Sequence, residues 1–554
     1  MPSERTDNLS KGSKKQTFLG GAAVLALSAA IVKLIGALYK IPIQHVIGDD
    51  GYGYFNSAYD IYNVLLMIAT TGLPVAMSRM ISEENALQNF RQIRRIYDVS
   101  RRVFLLIGTV GTVGMAALCL PLADFVVRQH NAWFPILCLS PAVLLICLTS
   151  VNRGFFQGQG DMRPTSVSQV IEALCKLIVG LGLAVLIMAL FRRGGLNNKT
   201  PSATLSEAHA WAAGGAIIGV TLGCGIAAWY LYGKVRRTEI YAGSDSGAVK
   251  SYKATTKELL RIAVPITIGA AGLQLINLAD VGVYMGSLQS GAGMADKADV
   301  LKGIYNFCQT IFNLPCSFIT PIVIAAIPAL TEKITTKDRR GERSIMESAL
   351  RVMALLACPS ALGLAALSRE IYALLASHTE ETLATATPLL AILGICVIFN
   401  AIVLVTNGIM QSHGDVTIPV IHMLIGGGIK LFCTWQLVSI PRLNIVGASI
   451  STLICYVVIS ALNLFAMARK GYAVSIPRTM LKPLIASVLM GAITYGCKTI
   501  LVRLQLSNLL VTALCIGVAV AVYVVLVLAL RIITKEDCAL LPKGDKIARL
   551  LKIR

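Results

Sequence analysis

Charged side chains are scarce in this chain, 14% of 554 residues, against about 25% in an ordinary globular protein. Acids are scarcer than bases: 29 Asp and Glu stand against 50 Lys and Arg, a formal charge of +21. The chain contains no GxxxxGK[ST] phosphate loop, no HExxH, no GxSxG and no CxxC pair. Those absences argue against ATP hydrolysis within the chain, against zincin or α/β-hydrolase chemistry and against a thiol redox or zinc motif. The 14 cysteines fall mostly inside apolar runs, as at Cys119, Cys147, Cys224, Cys396 and Cys455, where a free thiol behaves as a small packing residue. Neither a metal site nor an organic cofactor is expected.

Apolar residues are abundant: 55% of the chain, with a mean hydropathy of +0.69. They come in runs of the ~20 residues that a membrane-spanning helix needs, so a soluble enzyme, a disordered chain and a nucleic-acid binder are excluded. Fourteen spans are expected, at 17–47, 53–81, 103–127, 133–157, 165–190, 210–233, 261–287, 303–331, 346–366, 383–411, 416–438, 446–468, 483–500 and 508–533. The first is read as a retained helix, since its apolar stretch runs on through Lys33 to Pro42. With the N-terminus in the cytoplasm, Lys and Arg crowd the inner segments, among them Arg91 to Arg102 and Lys234 to Arg261. The outer segments then hold few, including Arg128, Lys297 and Lys302, as the positive-inside rule requires. The fold class is therefore an all-α polytopic membrane protein with both termini cytoplasmic.

An internal repeat organises the spans. Val151, Gly154, Gln157, Gly160, Asp161 and Lys176 match Val405, Gly408, Gln411, Gly414, Asp415 and Lys430, each 254 positions on. Each copy reads as a helix end, a Gly-Asp turn and a following helix with a buried lysine. Duplication of a six-span unit predicts two lobes inserted the same way up, the plan of an alternating-access transporter. The expected organisation is a tail over 1–16, an N-lobe over 17–233 and a linker over 234–260 with its Gly/Ser run at 243–247. A C-lobe over 261–468, two appended helices within 469–533 and a basic tail over 534–554 complete it.

A cation in mid-membrane costs about 2.5–3.5 kcal/mol on insertion scales and needs a partner, water or a function. Lys33 and Lys40 lie two turns apart on one face of the first span, beside Tyr39, and Pro42 is expected to interrupt its hydrogen bonding. Asn56, Asp60 and Asn63 form a polar stripe on the second span; Gln274, Asn277 and Asp280 mark the seventh, and Asn306, Gln309 and Asn313 the eighth. Glu172 and Lys176 stand at i, i+4 spacing and are expected to neutralise each other, with Lys430 as the repeat copy. Pro74, Pro265, Pro315, Pro321 and Pro328 are expected to kink spans 2, 7 and 8. The first-span cations have no acid in their own helix, so a net-positive cavity suited to an anionic ligand is expected.

Several of these segments resemble a known family. Lys33-Leu-Ile-Gly-Ala-Leu-Tyr39-Lys40-Ile-Pro42, Ile47-Gly-Asp-Asp-Gly51 and Ala58-Tyr-Asp-Ile-Tyr-Asn63 are similar to the start of stage V sporulation protein B and its vegetative relatives. Gly72-Leu-Pro74, the GxxQGxGD turn at 154–161, Ile304-Tyr-Asn306 and Asn313-Leu-Pro315 extend the likeness over the whole chain. The family lies in the multidrug/oligosaccharidyl-lipid/polysaccharide exporter superfamily, beside the MurJ-type lipid II flippases. The resemblance implies a V-shaped, fourteen-helix fold that moves an undecaprenyl-diphosphate-linked sugar across the bacterial cytoplasmic membrane, with spans 13 and 14 forming a groove for the lipid tail. Lys33 matches a cationic first-span position of the flippases. Their second-span Arg and Glu fall opposite Leu66, Met67 and Thr71 here, and their eighth-span Arg falls near Phe307 to Gln309.

The expected function is a flippase, not an enzyme, for a lipid-linked cell-wall precursor, lipid II foremost. Lys33 and Lys40 are expected to receive the diphosphate. Tyr39, Asn56, Asp60, Asn63, Gln274, Asn277, Asp280, Asn306 and Gln309 are expected to line the cavity. Sodium ion, proton or membrane potential would supply the energy. Expected partners are the lipid-linked oligosaccharide, anionic membrane lipids and the cell-wall synthesis machinery. The alternatives are an exporter of another lipid-linked repeat unit, a cation-coupled multidrug antiporter and a membrane-embedded transferase.

Overall fold

The structure is a computed structural model that describes residues 18–194, 202–238, 249–376, 379–415, 417–472, 474–503 and 507–532. The tails at 1–16 and 534–554 and the Gly/Ser run at 243–247 lie outside the described residues. Among those described there are helices, turns and no strand.

The N-terminal half is built from α1 (Phe18–Thr70), α2 (Gly72–Ala86), α3 (Phe90–Ala117), α4 (Trp133–Gly158), α5 (Arg163–Cys175), α6 (Leu181–Arg193) and α7 (Ser202–Arg236). The C-terminal half follows with α8 (Tyr252–Gly286), α9 (Ala298–Thr335), α10 (Arg339–Ala366), α11 (Ser368–Leu375), α12 (Glu380–Ser412), α13 (Thr417–Val438) and α14 (Val446–Arg469). Two further helices, α15 (Ile476–Arg503) and α16 (Asn508–Ala529), close the described chain. Side-chain caps fix several starts: Asn89, Ser251, Asp338 and Thr379 each accept a hydrogen bond from the backbone N–H three residues on, satisfying donors that a helix leaves free. Eleven helical stretches among the described residues are long and apolar enough to cross a membrane. The expected first two spans fall in one continuous stretch counted once, and α8 and α9, at the expected seventh and eighth, are not among the eleven.

The breaks lie elsewhere than the prolines suggested. The α1 helix runs straight through Pro42 and turns only at Gly48, whose φ of 70° and ψ of 179° suit a residue without a Cβ. The second limb breaks again at Thr71, so Pro74 sits in the first turn of α2, where a missing N–H costs nothing. Backbone at Pro265, Pro315, Pro321 and Pro328 is helical throughout.

Both repeat turns have the same backbone. Gly160 and Gly414 have φ of 81° and 86°, and the Asp161 and Asp415 amides donate back to Phe156 and Met410 respectively. This is the left-handed helix ending that glycine serves, and it places Gln157, Asp161, Gln411 and Asp415 as turn residues. Within each half one helix is central: α4 packs on α1, α3 and α7, and α12 packs on α9, α10 and α14. The appended α15 lies on α10, and α16 lies on α15. Large apolar side chains face outward, Phe125 80% and Trp229 77% exposed, a surface suited to acyl chains.

The halves meet where α1 packs on α8 and α9 and where α2, with a lesser contribution from α3, packs on α8. Two of these contacts are close because a side chain is missing. A methyl group at Gly303 would overlap the Asp49 carbonyl, and one at Gly72 would overlap Thr267 and the Ala263 carbonyl.

Candidate functional site: lysines between the two lobes

Four lysines with described side chains are withdrawn from solvent, two of them, Lys40 and Lys302, reaching across to the other half, and the four fall into two kinds. Lys302 and Lys430 have acids. Lys40 and Lys176 have none within ion-pair distance among the described residues.

Lys302, expected in an outer loop, instead lies one turn into α9 and is fully buried. Its Nζ donates to Ser57 Oγ at 2.5 Å and stands 3.6 Å from an Asp60 carboxylate oxygen across the lobe interface. The Ser57 hydroxyl reaches the Gln129 side-chain oxygen and the Gly53 carbonyl. Gln129 Nε2 donates to Asp299 at 3.0 Å, and Tyr54 OH donates to the other Asp299 oxygen at 3.0 Å. A buried cation needs partners of this kind, because desolvation otherwise exceeds the Coulombic gain.

Lys430 is held inside the C-lobe. Its Nζ lies 2.8 Å from Asp280 Oδ2, and Thr434 Oγ1 donates to the other Asp280 oxygen at 2.8 Å while touching Ser451. Asp280 is expected to line the cavity and Lys430 to be the repeat copy of Lys176; they form one buried ion pair and contribute no net charge.

Lys40 reaches across to α9, where its Nζ donates to Thr310 Oγ1 at 3.3 Å, and Tyr52 OH joins the same hydroxyl at 2.8 Å. Lys176 begins a π-helical turn, Lys176–Gly180, between α5 and α6, a local widening frequent at functional positions. The expected Glu172–Lys176 pair does not form: Glu172 binds Arg153 of α4 at 2.9 Å. Arg153 lies on a neighbouring helix, so the i, i+4 spacing pointed to the wrong partner. The Lys176 ammonium instead stands 4.9 Å from the Tyr39 ring centroid, 4.8 Å from Tyr59 and 5.9 Å from Phe55. Ring faces stabilise a cation by about 0.5–2 kcal/mol, and they do not cancel its charge.

The remaining expected residues differ in burial and partners. Tyr39 is buried with its hydroxyl toward the Ala216 carbonyl at 3.4 Å. Asn56 donates to its own helix at the Tyr52 carbonyl, and Asn63 is half-buried. Asn277 is exposed and bonds Gln274 at 3.4 Å, so these two serve each other. Gln309 hydrogen-bonds the Tyr305 hydroxyl. The Tyr59 hydroxyl and Asn306 Nδ2 are buried with no hydrogen-bond partner among the described residues, an arrangement that calls for water or ligand. Lys33 lies on α1, and its side chain is outside the described residues.

A second surface feature accompanies the lysines. An apolar groove of about 450 Å³ is lined by Pro315 of α9, Leu356 and Gly363 of α10, Met490 of α15 and Val520 and Tyr523 of α16. A larger recess of about 840 Å³ near the end of α15 holds Arg369, Glu370, Glu380, Lys498 and Arg503. There Lys498 pairs with Glu370 at 2.9 Å and Arg369 with Glu380 at 2.8 Å.

The sequence profile of the family described as polysaccharide biosynthesis protein matches residues 18–333, more than half of the chain. The chain belongs to that family. A second profile, MatE, matches residues 302–435. The chain is 26% identical to the lipid II flippase MurJ of Bacillus subtilis, over 85% of this chain and 87% of that one. It is 23% identical to stage V sporulation protein B of Bacillus subtilis, over 95% and 98% respectively. A solved structure described as "Lipid II flippase MurJ, inward closed conformation" superposes with a TM-score of 0.67 at 13% identity, covering 91% of this chain and 98% of that chain. The expected relationship and the all-helical, multi-pass fold in a bacterial membrane therefore hold, and the family is one of membrane transporters and flippases.

The residue the sequence reading missed, Lys302, did leave a signal. Lys302, Asn306, Gln309 and Asn313 follow i, i+4, i+7, i+11 spacing, one polar face of a helix. Ser57, Gln129 and Asp299 left none, since their link is formed only when two lobes meet.

Proposed function

We propose that this chain is a flippase for a diphosphate-linked lipid, an undecaprenyl-type cell-wall precursor with lipid II as the first candidate, and that Lys40 and Lys176 receive the diphosphate. The observation that carries the reading is the contrast among the buried lysines. Two are paired with Asp60 and Asp280, whereas among the described residues no acid stands within ion-pair distance of Lys40 or Lys176: Lys40 donates to a hydroxyl with Asp60 in electrostatic reach, Lys176 faces aromatic rings, and the two lysines are close enough to repel one another. Two unneutralised ammonium groups in a low-dielectric layer are a receptor for an anion. The apolar groove along α10, α15 and α16 supports a polyprenyl tail lying outside the polar layer. The two Gly contacts, at Gly303 and Gly72, give hinge-free surfaces across which lobes rock. A cation-coupled drug antiporter would instead need free acids in this layer, and Asp60 and Asp280 are both bound to lysines.

The test is translocation by the full chain in proteoliposomes loaded with labelled lipid II, with an undecaprenyl-diphosphate-linked oligosaccharide, and with a lipid-linked sugar lacking phosphate. Each charge-assisted hydrogen bond is worth about 1.5–3 kcal/mol, so Lys40→Gln with Lys176→Gln should slow diphosphate substrates by a hundredfold or more. Lys→Arg at both positions should retain most of the rate. Undiminished transport by the double Gln variant overturns the assignment of these lysines; equal transport of the phosphate-free lipid overturns the substrate class.

A further inference from the structure

We infer that the N-lobe carries a second anion site on its outer wall, which takes the phosphate headgroup of an anionic phospholipid from the cytoplasmic leaflet. A cavity of about 340 Å³ opens between α3, α4 and α7, lined by Tyr97, Arg101, Asn152, Trp229 and Tyr232 among others. That size sits at the lower end of small-molecule sites and suits a headgroup alone. The lobe interface with its lysines is a separate place, since none of Lys40, Lys176, Lys302 or Lys430 lines this cavity.

The lining combines what a lipid phosphate needs. Arg101 of the lining and Arg236 just outside it stand over the Tyr232 ring, 5.6 Å and 4.7 Å from its centroid, and neither forms an ion pair among the described residues. The ring thus holds two guanidinium groups in place, preorganised for bidentate donation to phosphate oxygens. Asn152 lies on the cavity wall only 5% exposed. Its side-chain oxygen accepts from Tyr97 OH at 2.8 Å, and its Nδ2 donates to no described protein atom. A buried amide with one end tied and the other free is a donor waiting for an acceptor.

The apolar half of the ligand is accounted for as well. Trp229 is 77% exposed and stands one turn before Tyr232, with Lys234 and Arg236 in the last turn of α7. Tryptophan and tyrosine beside arginine mark the level where acyl chains meet headgroups. The same end of the bundle carries the basic stretch Arg91 to Arg102, and anionic leaflet lipids favour each such residue by about 1 kcal/mol. A soluble phosphate would use the arginines and leave Trp229 without purpose; a zwitterionic lipid would use Trp229 and oppose its own cation to the arginines.

The experiment measures Trp229 emission in the full chain, obtained by subtracting the emission of a Trp229→Phe variant, in vesicles with brominated acyl chains. Brominated phosphatidylglycerol at low mole fraction in phosphatidylcholine should quench Trp229 severalfold more than brominated phosphatidylcholine at the same fraction. Arg101→Gln should remove that difference, and Arg101→Lys should keep part of it; Arg101 is exposed, so neither change threatens folding. Added inorganic phosphate should leave the quenching unchanged. Equal quenching by the two lipids, an unaltered difference in Arg101→Gln, or relief of quenching by inorganic phosphate would each overturn the proposal.

Discussion

Replacing Lys302 by Met tests whether a buried charge holds the two lobes together. At 3.6 Å from Asp60, an effective dielectric of about 20 gives roughly 4–5 kcal/mol of attraction. Removing the ammonium leaves the Asp60 carboxylate uncompensated, a change that typically costs about 3–5 kcal/mol. Because Lys302 belongs to α9 and Asp60 to α1, the cost falls on the arrangement in which these two helices meet, and about 4 kcal/mol corresponds to nearly a thousandfold in population. The assay is a distance distribution between spin-labelled non-natural residues at Phe125 and Arg442, exposed positions on the N-lobe and on the α13–α14 turn. Wild type should give one short distance, and Lys302→Met a longer population. The pair Asp60→Asn with Lys302→Met, which leaves no charge unpaired, should restore most of the short one. If Lys302→Met keeps the wild-type distribution, or the double variant opens as far as the single one, the ion pair does not govern closure.

Three more outcomes follow from the same contacts. Gly303→Ala should spread the α1–α9 contact and Gly72→Ala the α2–α8 contact, because each methyl meets a backbone carbonyl that cannot rotate away; label pairs at the two ends should lengthen at opposite ends, and identical responses would refute this. Arg153→Met should lower thermal stability by about 3–5 kcal/mol by stranding Glu172, and adding Glu172→Met should recover most of the loss in a melting assay. Lys470 first, and Tyr472 with it, hold the Asp415 carboxyl below its usual range. A depressed carboxyl stabilises the fold above its unfolded value of about 3.9 and loses that contribution as pH falls through its folded value. The melting temperature of Asp415→Asn should therefore lie below wild type at pH 7 and converge with it under acid; a gap that persists in acid would refute the linkage.

Helix positions were legible because a membrane helix advertises itself by run length alone. The expected 133–157 and 446–468 became Trp133–Gly158 and Val446–Arg469. Interior geometry was less so. Proline marks a lost hydrogen bond, yet α8 and α9 absorb theirs without breaking, whereas the turn that divides α1 falls at Gly48, which composition does not distinguish from the other 46 glycines of 47. Partners were the hardest to read. Sequence offers Glu172 only the lysine one turn away, but the guanidinium that binds it comes from another helix. Lys302 lies near the end of an apolar run, where a loop is expected, although its spacing to Asn306 and Gln309 places it on the polar face.

The repeat explains where the unneutralised charge comes from. Lys176 and Lys430 occupy matching positions 254 residues apart, after turns with the same backbone. Yet among the described residues one is paired and the other is not. The difference lies in the helix each lysine faces. The first helix of the C-lobe, α8, supplies Asp280 to Lys430. The first limb of α1, residues 18–47, contains no acid at all and carries Lys33 and Lys40. Duplication kept the lysine in both copies, and only one copy has the carboxylate that cancels it, so the two walls of the interface differ in charge while sharing a backbone plan. On the proposed function this asymmetry has a mechanical consequence. An anionic headgroup is attracted to the N-lobe wall alone, so rocking of the C-lobe past it breaks no strong ionic contact and leaves the headgroup free to change sides.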